Sequence, residues 1–173
     1  MDKIHLVKPR TDMKHQAIDF KNEFFTYGER AINGSSLWDK TDDYDEWLEN
    51  VTKNADKETV SPGWVVTDVF FAVRESDDQI IGMIDLRHEL NEFLKDFGHS
   101  GYSVRPLERK KGYATEMLRQ VLGVAKQIGL SKVQLSCEKD NIPSVKTIEN
   151  NGGVYERSFQ FEGRPADVFI VTL

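Results

Sequence analysis

The clearest pattern of apolar and polar positions lies in the middle of the chain, where a short strand leads through a polar turn into a long helix. Residues 102–105 (Y-S-V-R) are strand-like, and Pro106 ends the strand because proline has no N–H to give to a sheet ladder. Beyond the turn, apolar residues recur every three or four positions, which predicts an amphipathic helix. They are Ala114, Met117, Leu118, Val121, Leu122, Ala125 and Ile128. Gly129 stands where such a helix ends in a left-handed residue.

The same reasoning divides the rest of the chain into strands and helices. Before the central turn it predicts a strand at 3–8, a helix capped by Thr11 or Asp12, a second helix at 43–53, and strands at 67–74 and 79–87. After the central helix it predicts a strand at 132–137, a short helix opening at 141–144, and strands at 153–161 and 166–172 joined by a turn at 162–164.

Composition favours one soluble globular domain spanning residues 1–173. The chain is 39% hydrophobic and 30% charged, with no apolar run of membrane-spanning length and no signal-peptide core at its start. A single cysteine, Cys137, suits a reducing compartment, so we expect a cytoplasmic protein. Because Cys137 alternates with Val133 and Leu135, a packed core cysteine is favoured over a covalent nucleophile.

The charge pattern points to a small anionic ligand. The net charge of −6 argues against a general nucleic-acid binder, whereas residues 105–111 are locally basic. The four histidines stand apart at positions 5, 15, 88 and 99, and they form no zinc-like cluster with cysteine. We therefore expect no metal site.

The basic turn has the features of an anion cradle, because the first N–H groups of a helix lack partners and Gly112 would let a phosphate approach the backbone. A solvated basic turn is the alternative. Neither a P-loop motif nor a dinucleotide-binding G-x-G-x-x-G motif occurs. The run Gly98–Gly101 (G-H-S-G) also lacks the spacing of a serine nucleophile elbow.

Set in order, these residues resemble a known family. The series Val104-x-Pro106-x-x-Arg109-x-x-Gly112-x-Ala114 resembles the signature of the GCN5-related N-acetyltransferases, the GNAT superfamily. Asn141-x-x-Ser144 followed by Asn151-Gly152-Gly153 resembles a second signature of that family. Residues 86–91 together with residues 98–106 look like a bacterial subfamily of predicted acetyltransferases. The resemblance covers nearly the whole chain. It implies an α/β (α+β) GNAT fold: a single, mixed, mostly antiparallel sheet of about seven strands flanked by about four helices.

The resemblance implies an acetyl-CoA-dependent N-acetyltransferase whose amine substrate attacks the thioester directly in a ternary complex. The pyrophosphate of coenzyme A would bind the turn before the central helix, and the pantetheine arm would lie between the strands ending at Arg105 and Cys137. The backbone of Val104 would pair with the pantetheine and polarise the acetyl carbonyl. The implied cofactor-binding residues are Val104, Arg109, Lys110, Lys111, Gly112, Tyr113, Ala114, Thr115, Asn141 and Ser144.

Acetyl transfer to an amine needs a general base, and three residues near the cleft mouth expected from the fold are candidates. They are Glu89 and His88, after the third strand, and His99, before the fourth. A structural hydrogen bond to a loop is the alternative for His88 and His99, and a solvated loop position is the alternative for Glu89. Many family members carry a tyrosine acid where this chain has Ile148, so either Tyr102, Tyr113 or water protonates the leaving thiolate, or no side-chain acid is needed.

Two other functions remain open from the sequence: a non-catalytic acyl-CoA-binding or sensing module, and a protein-interaction domain with a surface turn. The amine acceptor, small molecule or peptide, is also open. The acidic start of the second helix together with Trp38, Trp47 and Trp64 either lines a pocket for it or forms solvated charges and core aromatics. No interface is visible, so a homodimer stays open.

Overall fold

Two antiparallel sheets form the frame of the protein in the computed structural model, which describes residues 1–173. The first sheet has the order β1-β2-β3-β4, with β1 at Ile4–Val7, β2 at Thr67–Arg74, β3 at Ile80–Arg87 and β4 at Tyr102–Val104. The second has the order β5-β7-β6, with β5 at Lys132–Glu138, β6 at Val154–Phe161 and β7 at Arg164–Thr172. The predicted α/β fold with seven strands is confirmed. The strands nevertheless divide into two sheets where one was expected.

The helices cover the two faces of this frame and enclose two cores. They are α1 at Lys14–Thr26, α2 at Tyr44–Asn54, α3 at Tyr113–Gln127 and α4 at Ile142–Glu149. One core lies between α1, α2 and the facing side chains of β2 and β3. The other joins α3 and α4 to residues of both sheets, so it holds the sheets together where hydrogen bonds do not.

Local capping explains where the helices begin and end. Asp43 caps α2, because its side chain accepts from the N–H groups of Asp45 and Glu46. Gly129, the second residue beyond α3, has φ of +93°, as predicted for a left-handed residue at the end of this helix. The predicted cap of α1 is wrong: the helix begins at Lys14 without a side-chain cap. Asp12 lies in a preceding 3₁₀ turn instead.

Two of the three tryptophans belong to the core between α1 and α2. Trp38 and Trp47 are buried against Tyr44, and their indole N–H groups donate to the carbonyls of Ala17 and Ser35. They are therefore core aromatics and not the lining of an open pocket. Trp64 is about half exposed. None of the helices has both the length and the apolar character needed to cross a membrane.

Candidate active site

The turn between β4 and α3 presents backbone N–H groups of residues 110–115, which donate to no acceptor in the protein. The first backbone bond of the helix runs from Glu116 N–H to the Gly112 carbonyl, at 3.2 Å. A run of unpaired N–H groups at the positive end of a helix dipole is suited to bind phosphate. The predicted anion cradle therefore has the backbone geometry that it needs.

Gly112 lies at the centre of this turn with φ of +89°, a conformation that side chains disfavour. Space is not the constraint, because a Cβ there would meet only the Met1 sulfur, at 3.3 Å. Lys110 also has a positive φ, +62°, which is uncommon for a residue with a side chain. The turn is thus held in a conformation that directs consecutive N–H groups outward.

The basic side chains of the turn are mostly engaged inside the protein. Arg105 pairs with Glu23 at 3.1 Å, Arg109 with Glu29 at 2.6 Å, and Lys111 with Glu108 at 2.8 Å. The bidentate contact with Glu29 raises the pKa of Arg109 and lowers that of Glu29. Only Lys110 lacks a carboxylate partner, so an anion would be held by backbone N–H groups and by Lys110.

Strand β4 is the edge of the first sheet, and it offers unpaired backbone groups of its own. In its register with β3, Tyr102 lies opposite Ile84 and Val104 opposite Gly82. The ladder bonds fall on alternate residues, since Asp85 N–H donates to the Gly101 carbonyl at 3.1 Å. The N–H groups of Tyr102 and Val104 therefore point away from β3, toward β5.

A wedge separates β4 from β5. The two sheets meet at a single bridge between Gly98 and Leu135, where His99 N–H donates to the Gln134 carbonyl at 2.7 Å. No further backbone hydrogen bond joins the strands, so the gap opens from this bridge toward the turn between β4 and α3. The free edge of β4 faces into the gap.

A small polar cluster from β4, β5 and α4 borders the wedge. Asn141 caps α4 by accepting from Ser144 N–H at 3.2 Å, and the Ser144 hydroxyl lies 2.8 Å from the Tyr102 hydroxyl. Burial raises the pKa of Tyr102 to about 12 and also raises the pKa of the Cys137 thiol. Ile148 is fully buried, so it contributes no polar group here.

The remaining predicted cofactor residues form the first turn of α3. Tyr113 is buried, and Ala114 packs against the core that contains α3. The carbonyl of Thr115 accepts from the Asn151 amide at 3.1 Å, and the same amide donates to Thr147 at 2.9 Å. Asn151 therefore fixes the start of α3 to the end of α4.

The three predicted bases lie toward the closed end of the wedge. His88 Nε2 is 2.8 Å from the Asp68 carboxylate, and the side chain of Glu89 is exposed and unpaired. Tyr102 pairs with Ile84 of β3, and His88 lies four residues beyond Ile84. At the rise of a strand, the distance from Ile84 to His88 is about 13 Å. The catalytic roles of His88, Glu89 and His99 stay predictions.

His99 is buried and engaged on one ring nitrogen. Its Nδ1 accepts from Gln134 N–H at 2.9 Å, and burial lowers its pKa. The ring is therefore neutral near pH 7 and carries its proton on Nε2. In that state it has no free lone pair with which to accept a substrate proton.

Sequence patterns did not reveal the carboxylates that hold the turn. Glu23 and Glu29 lie at and just beyond the end of α1, about eighty residues from the arginines that they pair with. Nothing in the spacing of either glutamate distinguishes it from a solvated charge on a helix. The structure contains no group of three or more histidine, cysteine or acidic side chains that could hold a metal ion.

Comparison with known proteins identifies the family. A sequence model described as the acetyltransferase (GNAT) domain matches residues 12–154. The chain belongs to the GNAT acetyltransferase family. No curated protein matches the chain.

Solved structures of GNAT-related acetyltransferases share the fold at low sequence identity. MccE, a microcin C7 self-immunity acetyltransferase solved with acetyl-CoA and AMP, is 14% identical with a TM-score of 0.72, covering 100% of this chain and 94% of its own. RimL, a ribosomal L7/L12 α-N-protein acetyltransferase solved with coenzyme A, is 11% identical with a TM-score of 0.71, covering 98% and 94%. The yncA protein of Salmonella typhimurium, solved with acetyl-CoA, is 13% identical with a TM-score of 0.66, covering 98% and 93%.

Proposed function

We propose that this GNAT protein is an acetyl-CoA-dependent N-acetyltransferase, which transfers the acetyl group to a primary amine by direct attack in a ternary complex. The observation that carries the proposal is the run of unpaired N–H groups at residues 110–115, next to the open edge of β4. Both features suit one ligand with a pyrophosphate at one end and an extended amide-containing arm. Three structural neighbours were solved with coenzyme A or acetyl-CoA.

The N–H groups of residues 110–115 would bind the pyrophosphate, with Lys110 as the one unpaired cation beside them. Because backbone N–H groups would bind the pyrophosphate, the turn can bind it even though Arg109 is paired with Glu29 and Lys111 with Glu108. Gly112 and Ala114 leave the phosphate side of the turn clear of large side chains. Asn141 and Ser144, at the start of α4, would contact the cofactor from the far side of the wedge.

The edge of β4 would bind the pantetheine arm as an added strand, through the N–H groups of Tyr102 and Val104. Two donors point into the gap, so one can pair with the arm while the other polarises the thioester carbonyl. A donor placed where negative charge develops stabilises a tetrahedral intermediate. The resemblance assigned both pairing with the pantetheine and polarisation of the carbonyl to Val104 alone. The register of β4 supports adding the N–H of Tyr102 to these donors.

The hydroxyl of Tyr102, which lies 2.8 Å from the Ser144 hydroxyl, is the group that we propose donates a hydrogen bond to the leaving thiolate. With a pKa of about 12, Tyr102 stays protonated at neutral pH. A thiol has a pKa of about 8.5, so full proton transfer from Tyr102 to the thiolate is uphill. The proposed role is therefore hydrogen-bond donation, and solvent supplies the final proton.

His88 is the predicted base that the geometry favours. Because Asp68 accepts from Nε2–H, the Nδ1 of His88 keeps a free lone pair, and its side chain is 30% exposed. A lysine-type amine with a pKa of about 10.4 is mostly charged at pH 7, so it must lose a proton before attack. His88 would take that proton through water, given its separation from Tyr102 along the sheet. Glu89, beside it, is exposed to the same solvent.

Calorimetry with acetyl-CoA tests the proposal, using two variants of similar shape at one position. Asparagine and aspartate both tolerate the positive φ of Gly112, and they differ in charge. We expect Gly112→Asp to weaken acetyl-CoA binding at least about tenfold more than Gly112→Asn, since the carboxylate repels the pyrophosphate. Equal affinities of the two variants, or no binding to the unmodified protein, would contradict the assignment.

A non-catalytic acyl-CoA sensor remains the second function, because Ile148 occupies the position of the usual tyrosine acid. The sensor predicts acetyl-CoA binding without release of free thiol on any amine panel. An enzyme predicts amine-dependent thiol release at a rate that rises with acceptor concentration. The panel should include small primary amines and peptide N-termini, since one structural neighbour is described as a putative phosphinothricin N-acetyltransferase and another as a ribosomal L7/L12 α-N-protein acetyltransferase.

A further inference from the structure

Two glutamates contact the phosphate turn, which is the segment of residues 105–112 between β4 and α3. Glu23 lies near the end of α1, and Glu29 lies just beyond it. Glu23 Oε2 accepts from Arg105 at 3.1 Å, and its Oε1 accepts from the backbone N–H of Leu107 at 3.0 Å. Glu29, after the helix, accepts two hydrogen bonds from Arg109, at 2.6 and 2.8 Å. Both glutamates lie about eighty positions before these partners in the chain, and α2, β2, β3 and β4 intervene.

Glu23 is the better placed of the two, because one carboxylate bridges the end of β4 and the following turn. Its side chain is 14% exposed and that of Arg105 is 10% exposed, so both charges are largely withdrawn from water. Buried charges strengthen each other when paired and are costly when one is removed. The bond to Leu107 N–H fixes the backbone three residues before Lys110, the first free N–H of the cradle.

Aromatic rings of α1 support the same contacts. The guanidinium of Arg105 lies 5.7 Å from the ring centre of Phe20, and that of Arg109 lies 5.5 Å from the ring centre of Phe24. Arg109 also donates to the Val104 carbonyl at 3.1 Å. The helix therefore fixes the strand end and the turn as one unit, without contributing a group to the cradle itself.

We propose that Glu23 is a positioning residue for acetyl-CoA, which acts through Arg105 and Leu107 to hold the N–H groups of residues 110–115 in their binding orientation. The inference rests on the proposed function, since it assumes that these N–H groups bind the cofactor. Pre-organised donors bind more tightly because the ordering of the turn precedes binding. Without Glu23 the turn would have to be ordered by the cofactor.

Two variants separate positioning from general stability. Glu23→Ala removes both contacts, whereas Glu23→Gln keeps an oxygen that can accept from Leu107 N–H. Val51→Ala is the control, because Val51 is buried in the core that contains α1 and has no hydrogen bond or ion pair with the turn. Hydrogen exchange of residues 105–116 in the protein without cofactor reports the order of the turn directly.

We expect Glu23→Ala to speed exchange in residues 105–116 and to raise the acetyl-CoA dissociation constant about tenfold or more, with Glu23→Gln partly restoring both. At saturating acetyl-CoA, kcat should stay within about twofold, since the cradle is distant from the reacting amine. Val51→Ala should lower the melting temperature without moving either readout.

Other results would separately contradict the positioning role of Glu23, its ordering of the turn, or acetyl-CoA binding itself. Faster exchange in Glu23→Ala with an unchanged dissociation constant would show that the carboxylate orders the turn but does not position the cofactor, which overturns this inference alone. An unchanged exchange rate would overturn the structural premise. Failure of the unmodified protein to bind acetyl-CoA would overturn the proposed function, and this inference with it.

Discussion

The hydroxyl oxygens of Tyr102 and Ser144 lie 2.8 Å apart, which joins the edge strand β4 to the first turn of α4 across the wedge. Tyr102 is protonated at neutral pH, whereas Ile148 of α4, at the position where the resemblance implies a tyrosine, is buried and carries no hydroxyl. In the proposed mechanism, the hydrogen bond to the leaving thiolate would therefore come from β4 and not from α4. The contact carries the first prediction.

Tyr102→Phe should lower kcat about tenfold while leaving the KM for acetyl-CoA within about threefold, since it removes a donor to the leaving thiolate but no backbone contact. Steady-state kinetics with the best amine measures both constants. Because the pKa of Tyr102 is about 12, its loss of a proton should not reduce activity below about pH 11. Tyr155→Phe, at an exposed tyrosine on β6, is the control. An unchanged kcat would remove Tyr102 from the mechanism.

His88→Asn should lower kcat/KM about a hundredfold, the usual contribution of a general base. Acetyl-CoA affinity should not change, because His88 lies at the other end of the sheet from the phosphate turn. Asp68→Asn should act in the same direction with a smaller effect, since it frees the ring that the carboxylate orients. His15→Asn, at a side chain 90% exposed, is the control. Full activity of His88→Asn would assign proton removal to solvent or to Glu89.

The contribution of His99 to stability should fall as the pH drops from about 7 toward 5, because burial lowers the pKa of His99 in the folded protein. In the unfolded chain a histidine has a pKa of about 6.5, so below that pH the unfolded chain binds a proton that the folded His99 ring does not bind. Acid therefore favours unfolding. Arg87 and Lys132 add to the effect by repelling the charged ring. One such proton changes the free energy of unfolding by up to about 1.4 kcal/mol for each pH unit between the two pKa values.

Urea unfolding of His99→Asn across the same range tests this assignment. The asparagine oxygen can accept from Gln134 N–H in place of Nδ1, so the variant keeps the contact but has no titrating ring. Its stability should therefore depend less on pH between 5 and 7 than that of the unmodified protein, while His15→Asn should keep the original dependence. Parallel pH profiles for His99→Asn and the unmodified protein would refute the prediction.

Local features of the fold could be predicted from the sequence, because they depend on short-range spacing. The helix α3, its ending before Gly129 and the hairpin turn after β2 follow from apolar periodicity and turn residues. The divergence of β4 from β5 is implied by the family resemblance and not by residue spacing, since it depends on whether the two strands pair beyond Gly98. Neither strand carries a residue that forbids pairing.

In the candidate site too, features formed by neighbouring residues could be predicted, whereas contacts between residues far apart in the chain could not. The unpaired N–H groups at residues 110–115 could be predicted because a glycine-containing turn and the helix start lie next to each other in the chain. The pairing of Arg105 with Glu23 spans 82 positions and required the coordinates. The basic charge of residues 105–111 is visible in the sequence, whereas the ion pairs that engage Arg105, Arg109 and Lys111 are not.

Cys137 should be dispensable for chemistry, although it borders the wedge. Burial raises the pKa of its thiol, so the thiolate required for nucleophilic attack is scarce at neutral pH. Cys137→Ala should keep kcat within about threefold and lose modest stability, because the side chain packs beside the core that contains α3. Intact-protein mass measurement after incubation with acetyl-CoA alone should show no acetyl group on Cys137, consistent with direct attack by the amine. An acetylated Cys137 that disappears when amine is added, together with loss of turnover in Cys137→Ala, would instead establish a covalent intermediate.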